Sequence, residues 1–228
     1  MTSDQTPKIW WAEPSSAYVK HFDIKPYFSD VDLQTERVDD MASMSRYLRS
    51  YDPIPREFVP DELRWYQRPV TEKDKNLPDA FQGYAGTPVI SEAMFELLSE
   101  FDLGSSRCFE LPLFELKTSG RAGRTQADRS KKDPRRWFLL HVTETKSSIR
   151  PEQCEYIREN PRSPGHYNVF SSDATTIAID CETAVEGPPV WRDPSMYRVY
   201  FFADAVKRAM AAKGLRTPAF KFKPCLLV

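Results

Sequence analysis

GPPVWRDPSMYRVYFFADAVKRAMAAKGLRTPAFKFKPC, residues 187–225, is the stretch from which the fold can be read. Gly187, Pro188 and Pro189 make a stiff turn that no helix can absorb. Asp193 and Pro194 make a second turn. Residues 197–202, YRVYFF, are aromatic and β-branched without a breaker and predict a strand. A helix is expected over about residues 204–213. Asp204 stands at its start, and Lys207, Arg208 and Lys213 lie toward its end, so the charges complement the helix dipole. Val206, Ala209 and Met210 form its apolar face. Gly214 is placed for a left-handed C-terminal cap, and Pro218 prevents the helix from resuming. Residues 219–223, AFKFK, alternate apolar and charged, the period of a half-buried strand. The unit is strand, helix, strand.

The same grammar occurs earlier. Residues 88–94, PVISEAM, correspond at an offset of 112 to residues 200–206, YFFADAV. Both run from a short apolar strand into a helix that begins with an acid and then Ala. Met94, Leu97, Leu98 and Phe101 line one helical face. Gly104 matches Gly214, and Phe109-Glu110-Leu111 matches Phe220-Lys221-Phe222. Two related strand–helix–strand modules are expected, too few for a solenoid.

Short strands are also expected at residues 8–12, 137–142 and 175–180, with a strand or turn at 27–29 and an edge strand at 66–70. Residues 52–69 and 71–80 read as coil. Residues 150–168 read as coil or a short helix around 151–157. Nineteen prolines against eight glycines favour short elements joined by stiff connections. The expected class is α+β with a mixed or antiparallel sheet and a few short helices. No linker is evident, so residues 1–228 are expected to form one domain; a subdivision into 1–85 and 86–228 is the alternative.

The net charge of −1 exerts no global pull on nucleic acid or anionic membrane. No apolar run approaches the roughly 18–20 residues that span a bilayer, and residues 1–16 carry no secretion-signal pattern. A cytoplasmic protein that does not enter membranes is expected. Cys108, Cys154, Cys181 and Cys225 form no CxxC pair and read as reduced, largely buried thiols. Glu152 and Glu155 flank Cys154 and should raise its pKa. No phosphate-binding loop, nucleophile elbow or HExxH motif occurs. His141 and Glu144 lie three apart on a strand, hence on opposite faces, and His21 and His166 have no sequence neighbour of matching chemistry. No catalytic residue, cofactor or metal is expected.

Residues 117–136, KTSGRAGRTQADRSKKDPRR, carry eight cations and two acids. Without core-forming residues, the segment reads as a mobile surface loop. Beyond Lys117, its cations are Arg121, Arg124, Arg129, Lys131, Lys132, Arg135 and Arg136. They could be merely solvated, or could contact an acidic protein surface or phosphates. The segment has no aromatic for base stacking, which makes nucleic acid the weaker reading. Trp191 and Arg192 can be read as a core aromatic beside a turn-stabilising Arg192–Asp193 pair, or as an interface anchor.

The turn at 187–193, the strand ending in Phe201-Phe202-Ala203, the helix begun by Asp204-Ala205, Lys213-Gly214-Leu215, and Phe220-Lys221-Phe222-Lys223-Pro224 together resemble the Imm11 (DUF1629) family of bacterial immunity proteins. Trp191 and Arg192 also match, and Val89-Ile90-Ser91-Glu92 is similar to that family's middle segment. The family usually has Ser where Ala203 stands, and the basic segment 117–136 departs from its pattern. The resemblance implies a non-enzymatic antidote that neutralises a cognate antibacterial toxin by binding it. A nucleic-acid-associated or regulatory module using residues 117–136 is the alternative.

Overall fold

Two strand–helix units with matching backbone pairing face each other across the centre of the molecule. The computed structural model describes residues 8–13, 22–27, 46–47, 50–67, 77–83, 86–116, 127–169, 175–196, 198–218 and 220–228. In the first unit β5 (Pro88–Ser91) enters α1 (Glu92–Leu98) directly; in the second, β14 (Tyr200–Ala203) enters α3 (Asp204–Ala212). Both boundaries fall at the offset that the sequence suggests.

The neighbours correspond too. β5 lies between β4 (Ala80–Gln82) and β9 (Trp137–His141), with β6 (Arg107–Leu111) beyond β9. β14 lies between β13 (Val190–Trp191) and β1 (Ile9–Ala12), with β15 (Lys223–Pro224) beyond β1. All pairings in these two sheets are antiparallel. Even the bonds at the strand–helix junctions repeat. The Ser91 and Ala203 amides donate to the carbonyls of Asp79 and Pro189, each at 2.8 Å, and the Glu92 and Asp204 amides to those of Arg136 and Lys8, each at 3.0 Å. Arg136 and Lys8 therefore occupy equivalent places. Chain order differs: β9 follows the first unit, whereas β1 comes from the N-terminal region and closes the C-terminal sheet. A boundary at residue 85 would separate β1 from β14 and β4 from β5.

Strand alternation sends neighbouring side chains to opposite faces. Ile90, Phe138 and Leu140 face Met94, Leu97 and Leu98 of α1, which meet Val206 and Met210 of α3 and Phe202 of the second sheet in one buried cluster. Each of these large side chains stabilises the fold by about 1.5–3 kcal/mol relative to exposure. On the outer face of the first sheet, Val89, Trp137 and Leu139 pack on Leu63 and Leu113. These belong to β3 (Glu62–Gln67) and β7 (Leu113–Leu116) of a third sheet, ordered β2-β3-β7-β8, with β2 at Phe22–Tyr27 and β8 at Ala127–Lys132. On the outer face of the second sheet, Ile9, Trp11, Trp191 and Phe201 pack on Ile149, Ile177 and Ile179.

Gly214 follows the Lys213 cap of α3 at φ +64°, where an L-residue is strained. Gly104, at φ +61°, does not match it as a cap, because α1 ends at Leu98 with Ser99 as its cap and Gly104 lies in a separate turn whose Ser106 amide donates to the Leu103 carbonyl. The class is α+β, mainly antiparallel, with parallel pairing of β3 with β7 and of β12 (Ala178–Ile179) with β16 (Leu226–Leu227).

Several expectations are corrected. β3 spans Glu62–Gln67 and lies inside its sheet, so the strand expected at 66–70 starts earlier and is not an edge. Only Tyr27 of the strand or turn expected at 27–29 is described, and it ends β2. β10 (Ile157–Asn160) and β11 (Ser163–Val169) form a hairpin where coil is expected, and only Pro151–Gln153 is helical, as a 3-10 turn. α2 (Cys181–Val185) follows β12; the Thr183 amide donates to Asp180 at 2.9 Å as its cap. AFKFK is not a continuous strand: Phe220 and Phe222 turn their rings edge-on to Phe202, and the paired strand is Lys223–Pro224.

Candidate partner interface

The basic segment is less free than its composition suggests. Arg121 and Arg124 lie outside the described residues. Arg129, Lys131 and Lys132 belong to β8, which pairs antiparallel with β7 at the edge of the third sheet. An edge strand needs a backbone partner rather than apolar side chains, and charge, Lys especially, suits an edge; the expectation of an irregular loop throughout 117–136 fails for this reason. Arg135 pairs with Asp133 at 3.1 Å, donates to the Leu77 carbonyl and lies 4.5 Å above the Trp137 ring. Arg136 donates to both Glu110 oxygens, at 3.0 and 2.6 Å, and to Glu92 at 2.8 Å. Those bonds hold the Glu110 carboxyl below its usual pKa. Arg135 and Arg136 thus fasten the segment to the first sheet.

A different concentration of cations stands at the start of α3. Lys8, Lys146, Lys207 and Arg208 surround a cleft of about 910 Å³, with Trp10, Val185, Pro188 and Pro189 as its less polar walls. The acid in its lining is Asp204, which accepts from the Trp10 indole at 2.8 Å and pairs with Arg208 at 3.0 Å. Lys207 Nζ sits 3.0 Å from the centroid of the Trp10 ring. Lys146 Nζ lies 3.8 Å from the Trp191 centroid and donates to the Ala184 carbonyl. Burial pushes the Lys146 ammonium down to about 8, against the opposing pull of Glu144 and Glu186. Sequence reasoning misses this cleft because its walls come from four separated segments. The available signal is the repeat itself, in which Ala203 replaces Ser91.

Trp191 is buried and stacked on Phe201 at 5.6 Å, as a packing residue. The Asp193 carboxylate is held by the Ser148 amide at 2.8 Å, the Ile149 amide at 3.0 Å, and the amide and hydroxyl of Ser195 at 2.9 and 2.7 Å. Arg192 lies 4.6 Å above Tyr51. The Arg192–Asp193 turn pair anticipated from sequence is thus replaced by a buried brace from Asp193 to residues 148–149.

His141 is 2% exposed. Burial, and next the Arg192 guanidinium, lower its pKa to about 4, so the imidazole is neutral at pH 7. Burial pushes the Cys108 thiol up to about 12. Cys154 is raised by burial, then by Glu152 and Asp193. Among the described residues, no group of three or more His, Cys, Asp or Glu could hold a metal ion, and no helix is long and apolar enough to cross a membrane. No family model matches the chain, and no curated protein matches it.

Proposed function

We propose that this protein is an immunity protein: it binds a cognate antibacterial toxin and neutralises it without chemistry of its own, in the cytoplasm. The residues of the 187–225 resemblance carry the reading, together with the rigid unit they build. Phe202 is caged by Phe220 and Phe222, Trp191 is stacked on Phe201, and Asp193 braces the turn. A blocking protein needs a preformed surface, because ordering that surface on contact subtracts from affinity. The cationic cleft beside this unit supplies preformed charge, which steers association and selects partners.

The test is reconstitution with the product of the adjacent gene. A one-to-one complex that abolishes that product's toxic activity in vitro is the expected result. Absence of a complex with toxins encoded next to this gene overturns the reading. Salt-sensitive oligonucleotide binding that disappears when Arg129, Lys131 and Lys132 become Ala would replace it with the nucleic-acid alternative.

A further inference from the structure

We propose that the cleft at the start of α3 is the docking site for an acidic segment of the partner protein, whose carboxylates complete what the first unit completes internally. The identity of the partner rests on the immunity reading; the chemistry of the cleft does not.

The two units provide an internal comparison. In the first, the cation beside the helix start is Arg136, and Glu110 and Glu92 neutralise it from β6 and α1. Ser91 caps α1 by accepting from the Met94 amide at 3.4 Å. In the second, Lys8 stands in the place of Arg136 and Asp204 in that of Glu92. Glu110 has no acidic counterpart: it pairs with Phe138, the equivalent of Trp10, and Trp10 pairs with Pro224, so Pro224 takes its place and the match of Glu110 with Lys221 expected from sequence does not hold. Ala203 in place of Ser91 leaves α3 without a side-chain cap. One carboxylate and one hydroxyl are thus lost, while Lys146, Lys207 and Arg208 are added around the same point. Asp204 is already engaged by Trp10 and Arg208, and Glu144 and Glu186 face Lys146 from outside the lining. An incoming carboxylate meets an excess of cations, Lys8 and Arg208 being exposed.

The walls favour a peptide over a nucleic acid. Lys207 covers a face of the Trp10 ring, which is thereby unavailable to a stacking base. Val185, half exposed, and the two prolines offer apolar contact to a side chain next to the acids.

The experiment titrates the ¹⁵N-labelled full chain with a capped hexaglutamate peptide, with hexalysine, a thymidine oligonucleotide and inorganic phosphate as comparators. Saturable shifts are expected at the Trp10 indole and at the amides of residues 184–187 and 204–208 with hexaglutamate. Affinity should fall at least about tenfold in Lys8→Glu/Arg208→Glu, which alters exposed side chains and leaves the melting curve near wild type. Lys207→Ala is the second variant, expected to weaken binding several-fold. Shifts that map to β8, no saturable shift, or stronger binding of oligonucleotide or phosphate at the same signals overturns the proposal. Failure of the two ideas is distinguishable. Cleft binding of the peptide by a chain that neutralises no toxin refutes the immunity reading alone. Neutralisation that survives the double reversal refutes the cleft alone.

Discussion

Asp193→Ala should be among the most damaging single substitutions outside the apolar core. The carboxylate is 2% exposed and accepts four hydrogen bonds, two from the amides of Ser148 and Ile149 and two from Ser195. Ser148 and Ile149 are themselves buried, so water cannot readily replace the lost acceptor. Each buried donor left unsatisfied costs about 1–3 kcal/mol. Losing both amide bonds places the destabilisation at about 2–6 kcal/mol, with Ser195, partly solvated, adding less. Asp193→Asn keeps the shape but presents an NH₂ to one of the two donor pairs, and should cost about 1–3 kcal/mol. Urea denaturation monitored by Trp fluorescence measures both, and a drop in melting temperature of about 2–4 °C per kcal/mol should accompany them. A loss below about 1 kcal/mol for Asp193→Ala would refute the buried brace.

His141 should make the fold acid-sensitive. Its folded pKa of about 4 lies below the unfolded value of 6.5, so its contribution is complete above pH 6.5 and is lost as pH falls toward 4. The size is about 3 kcal/mol, and His141→Gln should flatten that part of the stability–pH profile. The caps of the two units give a reciprocal pair: Ser91→Ala should cost about 1 kcal/mol, and Ala203→Ser should stabilise by up to the same amount, both by denaturant midpoint. Lys146, whose ammonium is lowered to about 8, should acylate faster at pH 8 than the surface amine of Lys213, as read by peptide mass spectrometry. Equal rates would place Lys146 in water.

The parts of the fold legible in the sequence are those in which one short stretch carries its own period. PVISEAM and YFFADAV show strand and helix together, and WFLLH has the apolar continuity of a strand buried on both faces. The parts that were illegible depend on distant backbone. β8 carries no apolar signal, β10 and β11 lie around prolines, and β3 gains its interior position from β2 and β7. Trp191 was readable as packing because it stands between a rigid turn and a buried strand. The cleft was not, since Lys8, Lys146 and Arg208 converge only when β1 closes the C-terminal sheet. Charge density in sequence pointed to residues 117–136, yet Arg135 and Arg136 have acidic partners there, whereas the cleft cations exceed theirs.

Growth of cells producing the toxin encoded beside this gene tests the central claim most directly. Co-production of the wild-type chain should restore growth, and Lys8→Glu/Arg208→Glu, folded and at equal abundance, should fail to restore it. Cells that die with the wild-type chain present, or survive equally with the double variant, would contradict the account.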